Sequence, residues 1–105
     1  MPITDPTRQL QIKTRSVERL AKEANYYKEE VKENEEKIAK MKEDKKDHYD
    51  IKKFQEVLDE SVMMVPDSEN RLRKAAGELQ EFLDCNVELE GEWFDRAKGL
   101  VESHL

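Results

Sequence analysis

The chain has 105 residues, 42% of them charged and 36% hydrophobic, and a formal net charge of −6. That length sets one domain with a modest core as the default, and an acidic chain has no general attraction to phosphate backbones, so nucleic acid is a poor first partner. The single cysteine, Cys85, excludes an intrachain disulfide; the opening Met1-Pro2-Ile3-Thr4-Asp5 starts no apolar signal region and no run nears the ~18 apolar residues of a membrane span, so the expected place is the cytosol.

This composition suits either disorder or a helical bundle with narrow apolar seams and wide charged faces. The order of the residues decides for the bundle. Asp5-Pro6 is a helix start, with Asp able to cap free N–H groups and Pro tolerated at the first position. A heptad repeat then runs with Leu10, Val17, Ala24, Val31 and Ile38 in one row and Lys13, Leu20, Tyr27, Asn34 and Met41 in the other. Eight of these ten are apolar or aromatic. Glu18 with Lys22, Glu33 with Lys37 and Glu36 with Lys40 are i,i+4 pairs in the favourable order. The spacing predicts a first helix over residues 6–45, about 60 Å long at ~1.5 Å per residue.

Residues 43–48 are polar without an apolar period and predict a turn. Asp50 is the expected N-cap of the second helix, with Tyr49 and Phe54 as a hydrophobic staple. The repeat resumes with Ile51, Leu58, Val65, Leu72 and Leu79 in one row. Phe54, Ser61, Ser68, Ala75, Phe82 and Leu89 form the other. Pro66 falls inside it, where it removes one backbone donor and opposes the Val62 carbonyl. The row passes from Leu58 to Val65 to Leu72 without a slip, which predicts one helix over 50–85, kinked at Pro66. After Asn86 and Gly91, Trp93, Phe94, Ala97, Leu100 and Val101 recur at three- and four-residue spacing and predict a short third helix over 92–104. Short connections make neighbouring helices antiparallel. The expected fold is all-α: one domain over 1–105, an elongated antiparallel three-helix bundle with left-handed, coiled-coil-like packing.

No pattern for chemistry emerges. There is no GxGxxG, Walker loop, HExxH or CxxC, and no spacing brings His48, His104 and Cys85 together. Asp44-Lys45-Lys46-Asp47-His48 lacks the glycine of a calcium loop and reads as a solvated turn. A bundle of three helices also offers little concave surface for catalysis. The expectation is a binding protein with no cofactor and no enzymatic activity.

Apolar residues at water-facing positions stand out: Met63, Met64, Tyr26 and Tyr49. Methionine adapts to varied partners, although Met64 can flank the core and Tyr49 can serve its staple. Arg15, Arg19, Lys22 and Tyr26 lie one turn apart on the outer face of the first helix. Such a stripe is either solvated surface or a dock for an acidic partner. Basic and acidic residues are also unevenly placed, with 12 Lys/Arg against 9 Asp/Glu over residues 7–46 and 5 against 10 over 67–105.

The stretch Tyr49-Asp50-Ile51-Lys52-Lys53, followed by Val57-Leu58, Glu60-Ser61, Met63-Met64-Val65-Pro66-Asp67 and Arg71-Leu72, closely resembles the tubulin-binding cofactor A family. Gln11-Ile12-Lys13-Thr14, Val17, Arg19-Leu20 and Lys22-Glu23 resemble it too. Val62 stands where that family often has Arg, and Ser68 where it often has Cys. The resemblance covers residues 10–83 and fades after Leu83, so the third helix rests on periodicity. It implies a monomeric three-helix bundle in the cytoplasm, associated with the cytoskeleton. It further implies capture of β-tubulin released from the cytosolic chaperonin and hand-over to later tubulin-folding cofactors, without nucleotide or metal. The expected contacts are the outer faces around Arg19, Lys22 and Tyr26 and around Lys53, Glu60, Met63 and Asp67.

Three rival readings remain distinct. A homodimeric coiled-coil scaffold with no tubulin role would self-associate. A prefoldin-like holdase needs strands between its helices, for which residues 43–50 are too polar and short. A nucleic-acid binder working through the first helix is opposed by the acidic balance of the last third.

Overall fold

The structure, a computed structural model, describes residues 5–105. Among them are three helices: α1 over Pro6–Glu43, α2 over His48–Cys85 and α3 over Glu92–His104. The fold is all-α, and no strand occurs among the described residues.

Local chemistry sets each boundary. Asp5 caps α1: its carboxylate accepts from the Thr7 N–H at 3.1 Å and its carbonyl from the Gln9 N–H at 3.0 Å. The helix stops at Glu43 rather than 45 because Lys45 turns to a left-handed φ of 55°. There the Lys46 N–H reaches the Met41 carbonyl at 3.0 Å and the Lys45 N–H that of Lys42 at 3.1 Å, the two bonds of a Schellman turn. The expected cap at Asp50 is corrected: Asp47 caps α2, accepting from the Tyr49 N–H at 3.1 Å, so the helix begins two residues earlier. An Asx turn at Asp47 is reached first along the chain and leaves Asp50 inside the first turn. The staple is corrected with it. Tyr49 is exposed, and the Lys53 ammonium lies 5.0 Å from its ring centroid. Phe54 is instead half-buried beneath Lys37, whose Nζ is 5.7 Å from the ring. Helix α2 runs through Pro66 without interruption.

The chain divides into two compact units, with boundaries inside α1 at Lys22–Glu23 and inside α2 at Glu69–Asn70. The unit Glu23–Glu69 is an antiparallel helical hairpin. Lys28 pairs with Glu69 at 2.9 Å, Asn34 with Ser61 at 3.2 Å, and Lys37 lies over Phe54, so partners descend along α2 as they ascend along α1. Its interior holds Ala24, Ile38 and Leu58, and also Asn34, Ser61 and Ser68. The Ser hydroxyls are satisfied locally, Ser61 by the Val57 carbonyl at 3.2 Å and Ser68 by that of Val65 at 2.9 Å.

The other unit joins the first part of α1 to Asn70–Leu105. Here α2 must face two helices, so its buried stripe widens to Ala76, Leu79 and Leu83, with Leu72, Ala75 and Phe82 half-buried beside it. Leu10 and Val17 meet them from α1, and Ala97 and Val101 from α3. Thr14 is fully buried, its hydroxyl bonded to the Leu10 carbonyl at 2.6 Å. Arg15 lies over Trp93 and Glu18 binds Arg96, so α3 runs parallel to α1 and antiparallel to α2. Gly91 opens α3 with φ 107° and ψ −170°, a region closed to residues with a Cβ.

Candidate partner-binding surface

In the unit containing α3, the basic stripe of α1 divides into two parts. Arg15 is committed to the fold: its guanidinium lies 5.1 Å from the Trp93 ring centroid, and Arg96 lies 4.7 Å from the same ring. Arg96 also forms a two-pronged pair with Glu18, Nε to Oε2 and Nη2 to Oε1, each 2.8 Å. Those hydrogen bonds, opposed by a little burial and aided by the charges of Glu18 and Glu92, raise the Arg96 pKa above its ordinary value. Arg19 and Lys22 are exposed and pair with no carboxylate among the described residues. Arg19 shares a shallow depression with Arg15, Ser16 and the exposed Ile12.

In the hairpin unit, Tyr26 is 60% exposed and stands edge-to-face against Tyr27, with centroids 5.7 Å apart. On α2, Lys53, Glu60, Met63 and Asp67 are all exposed. At about 100° per residue they fall within about 80° of one another on the helix circumference, opposite the buried row. Met63 is 73% exposed, far more than a core methionine. Lys53 is held over the Tyr49 ring. Glu60 lines a shallow groove with Tyr27, Glu30, Val57, Ser61 and Met64.

Sequence reasoning missed some of this surface. Val57 and Val62 are about half exposed, and Ile12 likewise. The two valines fall outside both apolar rows of α2, a signal that was open to reading. Glu30, one more glutamate in so charged a helix, carries no periodic mark. Among the described residues, no group of three or more His, Cys, Asp or Glu can hold a metal ion, and no helix is long and apolar enough to cross a membrane.

Residues 5–101 match the family model described as Tubulin binding cofactor A. The chain belongs to the tubulin binding cofactor A family. The match takes in most of α3, well past the stretch where the resemblance is visible by eye. Tubulin-specific chaperone A of Gallus gallus is 47% identical, over 96% of this chain and 95% of that protein. Among solved structures, tubulin folding cofactor A from Arabidopsis thaliana superposes with a TM-score of 0.84 at 38% identity, covering 93% of this chain and 94% of that one. RBL2P, a β-tubulin binding post-chaperonin cofactor, superposes with a TM-score of 0.79 at 37% identity, covering 91% and 93%.

Proposed function

We propose that this chain is a non-enzymatic chaperone that captures β-tubulin folding intermediates after their release from the cytosolic chaperonin. It holds them for assembly of the tubulin heterodimer and hands them to other tubulin-folding cofactors. The observation that carries this reading is the near full-length likeness to RBL2P, a β-tubulin binding post-chaperonin cofactor. The working form is a cytoplasmic, cytoskeleton-associated monomer, with the two units folding together as one domain because α1 and α2 each run through both.

The client contacts assigned under this proposal are Arg19, Lys22 and Tyr26 on α1 and Lys53, Glu60, Met63 and Asp67 on α2. Helical faces are ordered before binding, so little conformational entropy is lost at the encounter. The exposed cations steer association and fix register, while Met63 and Tyr26 supply adaptable apolar area. Pro66 bends α2 and shapes the face that carries Met63 and Asp67.

Gel filtration of the chain with newly folded α- and β-tubulin, each labelled separately, tests the reading. A complex with β-tubulin alone is expected. Absence of a complex with either chain, in a sample of full helix content, would return the protein to an unassigned interaction module.

A further inference from the structure

The groove on the hairpin unit joins two carboxylates to an apolar floor. Glu30 reaches it from α1 and Glu60 from α2, while Tyr27, Val57 and Met64 line it between them. Ser61 lies at its base, with its hydroxyl already engaged by Asn34 and by the Val57 carbonyl.

Neither carboxylate is answered by a cation among the described residues. Helical neighbours sit three and four residues away. For Glu30 these are Tyr26, Tyr27, Glu33 and Asn34; for Glu60 they are Glu56, Val57, Met63 and Met64. None is basic, although the chain has 19 Lys and Arg, and Glu33 and Glu56 add like-charge repulsion. Three cations of the same unit are engaged elsewhere: Lys28 on Glu69 at 2.9 Å, Lys37 over Phe54 and Lys53 over Tyr49. Neither Glu30 nor Glu60 forms an ion pair among the described residues.

We infer that this groove receives a lysine or arginine side chain of the client protein. The methylene stem lies along Tyr27, Val57 and Met64, and the cationic head sits between Glu30 and Glu60. Long basic side chains bury their stems on apolar surface and keep the charge at a polar edge. A guanidinium or ammonium bonded to carboxylates from two helices is also fixed in direction, which sets the register of the docked client. The inference rests on the proposed β-tubulin function for the identity of the client and adds the chemistry of one contact. An acidic or purely apolar segment would leave both carboxylates unanswered.

The test compares Glu30→Gln/Glu60→Gln with Glu33→Gln/Glu56→Gln, which removes the same charge outside the groove, in the labelled β-tubulin assay. The groove variant is expected to bind about tenfold more weakly and the control to bind as wild type. Because the Gln changes relieve repulsion, the groove variant should melt no lower than wild type. Equal affinity of groove variant and wild type overturns the inference. Should wild-type chain bind no β-tubulin, the function fails, and the groove is then decided by NMR titration with Nα-acetyl-lysine amide. Shifts of the Glu30, Glu60 and Met64 amides that Nε-acetylation of the probe abolishes would uphold it, and shifts indifferent to the probe's charge would overturn it.

Discussion

Asn34 on α1 donates through Nδ2 to the Ser61 hydroxyl oxygen on α2 at 3.2 Å, inside the hairpin unit. Ser61 donates its own hydroxyl hydrogen to the Val57 carbonyl, and no buried side-chain nitrogen or oxygen among the described residues lacks a partner. Sliding one helix by a turn would strand a buried amide, at a cost of about 1–3 kcal/mol. A buried Asn in an apolar seam thus trades stability for register. Asn34→Leu is expected to raise stability by about 1 kcal/mol. It should also increase self-association in sedimentation, since Ser61 keeps its carbonyl partner and nothing is left to fix the pairing. A lower melting temperature with unchanged mass would show that the hydrogen bond contributes net stability.

The two positive-φ positions among the described residues should respond oppositely to substitution. Lys45 closes the α1 turn at φ 55°, a conformation glycine adopts freely. Lys45→Gly should therefore stabilise by about 0.5–1 kcal/mol. Gly91 has open space around it but a backbone that a Cβ disfavours. Gly91→Ala should destabilise by about 1–2 kcal/mol and red-shift the emission of Trp93, the only tryptophan, as α3 loosens. Thermal melts followed by far-UV circular dichroism and by tryptophan fluorescence check both.

Pro66→Ala restores an N–H opposite the Val62 carbonyl. Pro66 is exposed, so water already solvates part of what the missing bond leaves, and the gain is expected to be about 1–2 kcal/mol. Under the proposal that Pro66 bends α2 and so shapes the client face, affinity for β-tubulin should fall while the melting temperature rises. A more stable variant with wild-type affinity would leave Pro66 no part in binding.

Reversing Arg19 and Lys22 together to Glu should weaken β-tubulin binding by about tenfold at low ionic strength and less at high salt, where exposed charges are screened. Helix content should stay intact, because neither residue is paired within the described structure. Unchanged affinity across the salt series would make the stripe solvated surface only.

Much of the fold was legible in order and spacing. The first row of α1 places Leu10, Val17, Ala24 and Ile38 in the interior, and the rows of α2 do the same for Leu58, Ser61, Ser68 and Leu79. The misses have physical causes. Thr14 lies outside both rows and is buried because its hydroxyl is answered by its own helix. Ala76 and Leu83 are buried because α2 meets a second helix there, and a periodic pattern on one helix cannot announce a third. Asp47 and Asp50 are equal candidates for a cap until the path of the turn selects one. The candidate surface was legible at Tyr26 and Met63, where an apolar side chain breaks a polar face. It was not legible at Trp93 with Arg15 and Arg96, or at Glu30 with Glu60, because those meetings depend on the alignment of separate helices.

The turn between α1 and α2 also has a consequence in time. Contacts of the hairpin unit close around residues 44–47, and the Asn34–Ser61 bond spans only 27 positions. The Glu18–Arg96 pair that holds α3 spans 78. Loop-closure entropy grows with the length closed, and local contacts form first. The hairpin is thus expected to zip outward from the Lys45 turn, with α3 seating last. Newly made chain would display its two-helix face before its third helix is in place.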